Sequence, residues 1–374
     1  MVAIATLAVA ALASLFMAWA IGAGSSGSTP FAPAVGANAI SVMRAGFVVG
    51  ILGLAGAFLQ GANVTEAVGS ELVVGGSLSP TAAIVALATA AALVAVGVFA
   101  GYPIATAFTV TGAVVGSGLA LGLGPAWPKY VEIASLWLLT PFIGGGIAFV
   151  TAKLLRNERV PESVAVPALA FLVGILLANI EFVILGPGNT GRSIASAATR
   201  AVVGEAATGT TVLAGTVLAT LAFAGFFAGL LRLDLTRDEA AGQRHFLLAL
   251  GGLVAFSAGG SQVGLALGPL IPLLEQGNID IALSQDYSSL GSRRSIAALI
   301  PSFAIAQSAV FFGVPVSFNE IIVSAIIGSG YAAGGAGVSR QKMVYTVLAW
   351  LGSLALALGV SYGGFLLVDA LLQL

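Results

Sequence analysis

Long apolar runs, separated by short polar connections, make up most of this chain. Because a helix that crosses a bilayer needs about 20 apolar residues, the pattern predicts an all-α, polytopic membrane protein with about 11–12 transmembrane helices. The longest runs without Asp, Glu, Lys or Arg cover 1–43, 72–128, 206–231, 246–274 and 343–368. The predicted spans are 2–21, 40–60, 79–99, 103–122, 131–153, 164–185, 208–231, 246–272, 294–312, 316–333 and 343–371.

Composition supports this fold class and excludes several kinds of site. Only 8% of the 374 residues are charged, whereas a soluble domain carries about a quarter. With no cysteine and one histidine, His245, haem held by paired histidines, iron–sulfur clusters and cysteine-based metal sites are excluded. We expect no enzyme, since no nucleophile or paired-carboxylate constellation appears, and no nucleic-acid partner, since no basic stripe does.

Positively charged loops predict a topology. One basic cluster lies in 153–159 and a second in 232–245, and such loops favour the cytoplasm. Two predicted spans separate the clusters, so both can be cytoplasmic, and the same count places the N-terminus outside. Continuing the count places Arg340 and Lys342 outside, which the rule disfavours. We therefore expect a miscounted or re-entrant segment between 246 and 340.

One stretch of sequence occurs twice. GYPIATAFTVTGAVVGSG begins at Gly101, and GVPVSFNEIIVSAIIGSG begins at Gly313. Other landmarks keep the same order: Trp137 recurs as Trp350, and AWAIGAGSSG (18–27) lines up with AFSAGGSQVG (255–264). The offset in numbering falls from 237 for the last pair to 212 for the first. The second copy therefore lacks about 25 residues, one helix and a turn.

The repeated landmarks indicate a duplicated architecture. Weak internal symmetry is typical of transporters built from two repeats, with substrate bound where the repeats meet. We expect two inverted-type repeats with broken or re-entrant helices: 1–160 and a shortened 246–374, joined by connecting helices and a cytoplasmic loop in 161–245. Shared composition would explain one Gly-rich pair, but three pairs in one order favour duplication.

The Gly-x-Pro breaks predict an anion site. Backbone groups freed by a break in a membrane helix are tolerated only where they meet protein, water or a ligand. A half-helix that starts after the break directs N–H groups and a positive dipole end at its target, which suits an oxyanion. Thr106, Ser317 and Asn319 fall in these first turns and can donate hydrogen bonds. The alternative is a tight turn whose polar side chains only cap a helix.

Acidic residues at membrane depth predict a cation or proton site. A carboxylate there faces a cavity, finds a partner or stays protonated. Glu320, in the second block, is the strongest candidate, whereas Glu181 reads as an interfacial or loop residue. A carboxylate beside an anion site requires a cation or proton to offset it, so we expect symport with Na⁺ or H⁺. Ser25, after a break at Gly24, lines a polar path or belongs to a loop.

The blocks, together with LQGANVTEAVGSELV at 59–73, resemble the inorganic phosphate transporter family over nearly the whole chain. The resemblance implies that family's fold, phosphate as substrate, and a coupling-ion role for Glu66. It also aligns the family's two Asn-Asp signatures with Gly24 and Ser25 and with Ser261 and Gln262, so Ser25, Ser261 and Gln262 become candidate substrate ligands. Both signature aspartates are absent.

The second block keeps more polarity than the first. Where the family has Ser-Thr-Thr-His, the first block reads Ala-Thr-Ala-Phe at 105–108 and the second Ser-Phe-Asn-Glu at 317–320. We expect most of the chemistry to lie in the second block.

The sequence therefore predicts a secondary transporter of inorganic phosphate in the cell membrane. Open alternatives are a permease for sulfate or another oxyanion, an uncoupled anion channel on the same scaffold, and an anion sensor without transport. No cofactor is expected apart from Na⁺ or H⁺ as coupling ion. Membrane lipid and a second copy of the chain, in a homodimer, are the other expected partners.

Overall fold

Helices make up most of the computed structural model, which describes residues 4–26, 30–100, 104–186, 191–206, 208–274, 292–334 and 339–373. The α-helices are α1 (Ile4–Ile21), α2 (Ala32–Gly36), α3 (Val42–Gln60), α4 (Ala62–Ser70), α5 (Pro80–Ala100), α6 (Thr106–Ala120), α7 (Trp127–Leu155), α8 (Glu162–Ala178), α9 (Ile194–Val203), α10 (Thr210–Arg237), α11 (Glu239–Leu267), α12 (Ile271–Leu274), α13 (Ser292–Phe311), α14 (Phe318–Ala332) and α15 (Arg340–Leu372). Shorter elements are a π-helical turn (Gly22–Ser26), 3₁₀ turns (Val183–Leu185 and Gly268–Leu270), and strands β1 (Val73–Val74), β2 (Gly124–Pro125), β3 (Glu181–Phe182) and β4 (Arg192–Ser193).

The predicted membrane-spanning pattern is confirmed. All eleven predicted spans coincide with helices. Within the described residues, seven helices are long and apolar enough to cross a bilayer: α1, α3, α5, α7, α10, α11 and α15. The span predicted over 164–185 is too long, because α8 ends at Ala178 and the antiparallel pair β3–β4 follows. The chain is a multi-pass membrane protein.

The outer surface is apolar. Large side chains on the long helices point outward, such as Phe47, Phe142 and Leu218, which are 72%, 73% and 67% exposed. A soluble protein rarely exposes so much continuous apolar area, whereas a surface that contacts lipid does.

Two helical hairpins hold the repeated blocks. The first hairpin is α5 with α6, and its open end is closed by the β1–β2 pair, in which Val73 lies opposite Pro125. The second hairpin is α13 with α14, joined by Phe312–Ser317, where Gly313 has a φ of +60°. We term the two connections the first tip and the second tip. In the first tip, 101–103 lie outside the described residues.

Helix α6 packs along α15, and both run in the same direction. Gly112 faces the carbonyl of Leu354, and one turn later Gly116 faces the carbonyl of Leu358. A Cβ at Gly116 would overlap that carbonyl, so the two backbones approach closely only because the side chain is absent.

Helix α14 packs along α7 in the same way. Trp137 Nε1 donates to the carbonyl oxygen of Pro315, just before α14, at 2.8 Å. Further on, Gly145 lies against Ser324 and Gly328. Positions on the two helices advance together, so α14 and α7 also run in the same direction.

The two hairpins point in opposite directions. Phe108, near the start of α6, stacks on Trp137, which lies in the first half of α7, with ring centroids 3.7 Å apart. Since a short turn joins α6 to α7, this contact makes them antiparallel, and α14 therefore runs opposite to α6. Helix α6 of the first block packs on α15, which follows the second block, and α14 of the second block packs on α7, which follows the first. That exchange suits inverted repeats, but the inversion of the complete repeats, and the division at 160 and 245, stay predictions.

Contacts with α7 place the tips inside the membrane. Helix α7 has 29 residues and is long enough to cross the bilayer. Trp137, which bonds Pro315 of the second tip and stacks on Phe108 beside the first, lies ten residues after the start of α7, about 15 Å along the helix. Both tips therefore lie well within the ~30 Å hydrocarbon core. Because α14 ends at the same end of the molecule as α7, Arg340 and Lys342 lie with the basic cluster 153–159. The second hairpin is thus the re-entrant segment that the charge pattern requires.

Single-cysteine labelling tests this orientation, because the chain has no cysteine of its own. We expect Ser77→Cys, at the open end of the first hairpin, to react with an impermeant thiol reagent only from outside. Gln341→Cys, at the open end of the second, should react only from the cytoplasmic side. Asn157→Cys marks the cytoplasmic loop as a reference. Labelling of Ser77→Cys and Gln341→Cys from one and the same side would contradict opposed hairpins.

A glycine contact between α7 and α14 predicts a stability effect. A Cβ on Gly328 would overlap the carbonyl of Gly145, whereas a Cβ on Gly146 meets nothing within 4 Å. We expect Gly328→Ala to lower the free energy of unfolding by about 1–3 kcal/mol, measured as a lower melting midpoint in detergent. Gly146→Ala is the matched control and should not destabilise, since alanine favours a helix. Equal midpoints for the two variants would show that the helices can separate at no cost.

Candidate substrate site between the hairpin tips

The described residues at both tips lie in the interior of the molecule, apart from Phe312, which is 59% exposed. Every residue of 105–118 is buried in the first hairpin, and so is every residue of 313–320 in the second. Helix α6 begins at one tip and α14 at the other. Because side chains connect the tips directly, as described below, the amino ends of two helices converge on one buried place.

Asn319 joins the two tips. Its Nδ2 atom donates to the carbonyl oxygen of Ile104 at 2.8 Å and to that of Gly24 at 3.0 Å. Ile104 lies just before α6, and Gly24 lies in the π-helical turn after α1. One amide group therefore satisfies two backbone carbonyls away from water, where an unpaired carbonyl is costly.

Gln262 makes the matching connection at the second tip. Its Nε2 atom donates to the carbonyl oxygen of Val316 at 2.9 Å, and its Oε1 atom accepts from Thr106 Oγ1 at 3.3 Å. Val316 holds the position in the second block that Ile104 holds in the first. Carbonyls at equivalent positions of the two tips thus each accept a side-chain amide.

The structure brings five of the predicted substrate residues to this region. Gln262 bonds Thr106 and also the backbone of Val316, the residue before Ser317. Of Ser25 only the backbone is described, in the π-helical turn beside Gly24; its side chain lies outside the described residues. The role of all six in binding stays a prediction. The five are Thr106, Ser261, Gln262, Ser317 and Asn319, each at most 4% exposed.

Three buried polar atoms near the tips have no hydrogen-bond partner among the described residues: Ser261 Oγ, Ser317 Oγ and Glu320 Oε2. Buried groups of this kind are rare, because each has lost its water without replacement. Two hydroxyls that can donate and one carboxyl that can accept therefore remain open to a ligand.

The two blocks differ at one corresponding position. Glu320 of the second block is 1% exposed on the first turn of α14. Its counterpart in the first block, Phe108, stacks on Trp137 and lies 6.5 Å from Trp350, measured between ring centroids. Aromatic packing therefore fills the place that a polar side chain occupies in the other half, so the polar chemistry lies mostly at the second tip.

The structure does not bring Glu66 to this site. Glu66 lies on α4 with an exposed side chain, while Asn63 and Ala67 of the same helix contact Gly313 at the back of the second tip. Its predicted role as a coupling-ion ligand together with Glu320 stays a prediction. Glu181 is exposed in the short strand β3, outside the long helices, as expected of an interfacial residue.

Sequence reasoning missed a second polar contact group. Gln60 and Gln307 are hydrogen-bonded to each other, and Gln307 also donates to Ser257 Oγ at 2.6 Å. The available signal in the sequence was a glutamine near the end of each of two apolar spans. The two glutamines lie 247 residues apart in the chain, so no local pattern reveals that they pair.

A family model described as the phosphate transporter family matches residues 21–283, more than half of the chain. The chain belongs to the phosphate transporter family. The matched part includes the first tip and Gln262, and the second hairpin lies beyond it.

Relatives of this chain occur in plants and bacteria. Inorganic phosphate transporter 2-1, chloroplastic, of Arabidopsis thaliana is 23% identical over 403 residues, covering 91% of this chain and 68% of that protein. A Chlamydia trachomatis protein, described as a candidate phosphate permease, is 24% identical over 418 residues, covering 95% and 96%. The solved structure of a sodium-dependent phosphate transporter matches with a TM-score of 0.78 at 20% identity, covering 98% of this chain and 100% of that chain. At that identity the likeness shows the fold.

The hydrogen bonds of the Asn319 amide predict that replacing it with aspartate, which has the same shape, destabilises the protein. Aspartate keeps the shape but presents an ionised acceptor to the carbonyls of Gly24 and Ile104. We expect Asn319→Asp to lower the free energy of unfolding by about 1–3 kcal/mol, read as a lower melting midpoint. Asn157→Asp is the matched control, because Asn157 Oδ1 accepts from Arg159 N and aspartate can do the same. If the two variants melt alike, the amide donor is dispensable.

Proposed function

We propose that this family member moves inorganic phosphate across the cell membrane as a secondary active transporter, in symport with Na⁺ or H⁺. The observation that carries the proposal is the meeting of the two hairpin tips, where helix starts and unpartnered buried hydroxyls face one interior place. Binding near the midplane between two repeats is the usual design of secondary transporters.

The geometry suits a tetrahedral oxyanion. Helices α6 and α14 begin at the tips, and their free N–H groups and positive dipole ends favour an anion. The Ser261 and Ser317 hydroxyls supply donors without fixed charge. Since amides already occupy the backbone carbonyls of Ile104 and Val316, those acceptors do not repel a bound anion.

Glu320 supplies the reason for coupling. A carboxylate at the second tip would repel phosphate unless a cation or a proton offsets its charge. Binding of the anion and of the cation then favour each other, and an ion gradient can drive phosphate uptake. Apart from this coupling ion we propose no cofactor.

Opposed hairpins supply a route for alternating access. If each hairpin enters from its own membrane surface, movement of one opens the site to one side while the other keeps it closed. The apolar outer surface is the contact with membrane lipid. Assembly as a homodimer stays a prediction.

Uptake by proteoliposomes tests the function. We expect labelled phosphate to accumulate under an inward Na⁺ or proton gradient and to stop accumulating when ionophores remove that gradient. Glu320→Gln removes the charge that the cation offsets, so gradient-driven uptake should fall about tenfold or more, roughly the 1.4 kcal/mol of a single lost charge interaction. Glu158→Gln, an exposed loop change, is the matched control.

Other outcomes would identify the alternatives. Phosphate flux that ignores ionophores would mean an uncoupled channel. Sulfate uptake without competition by phosphate would mean that the protein is a secondary transporter but that phosphate is not its substrate.

A further inference from the structure

A cavity lies behind the second tip. It has a volume of about 290 Å³ and lies between the α3–α4 junction, the end of α8 with β3, and the last turns of α13. We term it the amide vestibule after the side chains that give it polarity: Gln60, Asn63, Asn179 and Gln307, with Glu181 beside them. It adjoins the second tip, because Asn63 Nδ2 donates to the carbonyl oxygen of Val310 at 3.3 Å.

The vestibule lies at the outer end of the molecule. Helix α8 begins directly after the basic loop 153–159 and ends at Ala178, next to the vestibule. Since positive-inside bias places the basic loop in the cytoplasm, the other end of α8 faces outside.

Its charge favours cations over anions. Among the described residues that line it, Glu181 is the charged side chain, and Lys, Arg and His are absent. Arg192, on the strand paired with β3, is neutralised by a bidentate pair with Glu205 Oε1 and Oε2 at 2.6 and 2.9 Å, and Arg200 donates to the backbone carbonyl of the same Glu205. A cavity with one carboxylate and several amide oxygens attracts a small hard cation and repels phosphate.

Polar side chains connect the vestibule to the site. Gln60 Nε2 donates to the carbonyl oxygen of Glu181 at 3.0 Å, and Gln307 bonds both Gln60 and Ser257. Ser257 lies one helical turn before Ser261, on the same face of α11. Ser261 carries one of the unpartnered buried hydroxyls. These polar side chains therefore form a continuous series across an otherwise apolar interior. Burying polar groups there costs free energy unless they bind an ion or water.

We propose that the amide vestibule admits the coupling cation, a small monovalent cation such as Na⁺, to the site by a route separate from that of phosphate. This proposal rests on the proposed symport. Glu181 concentrates the cation at the entrance. The Gln60–Gln307 pair replaces part of its hydration shell and passes it toward Ser261.

Separate kinetic constants test the route. We expect Glu181→Gln to raise the KM for Na⁺ about fivefold by lowering the local cation concentration, measured as phosphate uptake in proteoliposomes at saturating phosphate. The KM for phosphate at saturating Na⁺ should not change. Glu158→Gln is the control for the charge change. A raised KM for phosphate with an unchanged KM for Na⁺ would overturn the proposal.

Substitutions that change the polarity of Gln307 but keep its size test the glutamine pair. Gln307→Leu should lower kcat at least fivefold, whereas Gln307→Glu, which keeps oxygen ligands, should restore Na⁺-dependent uptake. Gln341→Leu on exposed α15 is the control. Equal loss in both Gln307 variants would mean a structural role and would contradict an ion path.

One measurement separates this proposal from the proposed function. Purified protein without phosphate should melt at a higher temperature in NaCl than in choline chloride, and Glu181→Gln should reduce that shift. If wild type takes up no phosphate but shows this shift, symport fails, and what stands is cation binding at the vestibule without coupling to phosphate. If phosphate uptake is normal and Glu181→Gln changes neither the shift nor the KM for Na⁺, the vestibule proposal fails alone.

Discussion

The fold depends on satisfying backbone carbonyls where helices stop inside the membrane. Water is absent there, so an interrupted helix is stable only if protein groups replace it. Asn319 does this for Gly24 and Ile104, and Gln262 does it for Val316. Because these amides reach across from other elements, the same hydrogen bonds that stabilise the breaks also hold the tips together. Structure and site are therefore one arrangement, and a change that weakens the amides acts on both.

Sequence patterns predicted the helices well and their depth poorly. Apolar runs indicate where lipid is tolerated, so each of the eleven predicted spans corresponds to a helix, of which seven are long enough to cross the membrane. Gly-x-Pro correctly indicated where helices stop. An apolar run, however, looks alike in a full span and in a hairpin arm such as α6 or α14. Only the position of Arg340 and Lys342 signalled a re-entrant segment. The β3–β4 pair after Ala178 was missed, because two-residue strands carry no periodicity.

The candidate site was predicted in part, and the misses have a physical cause. Buried polar residues near the breaks, such as Thr106 and Asn319, could be chosen because polarity at membrane depth needs a reason. Their partners could not be chosen, since the bonds that define the site join residues 54 to 295 positions apart. Glu66 was predicted from a family motif alone, which does not show which face of α4 a side chain occupies, and its role stays a prediction.

Charge balance at the site gives one explanation for the residues that differ from the family pattern. In the family pattern two aspartates stand where this chain has Ser25 and Gln262, and Gln262 forms neutral hydrogen bonds to Thr106 and Val316. Each lost carboxylate removes one negative charge that a cation had to offset before phosphate could bind. Since Phe108 holds the corresponding position in the first block, Glu320 is the ionisable side chain among the described residues of the two blocks. By the same reasoning, a symporter with this site would need fewer cations for each phosphate, and that lower stoichiometry stays a prediction of the proposed symport.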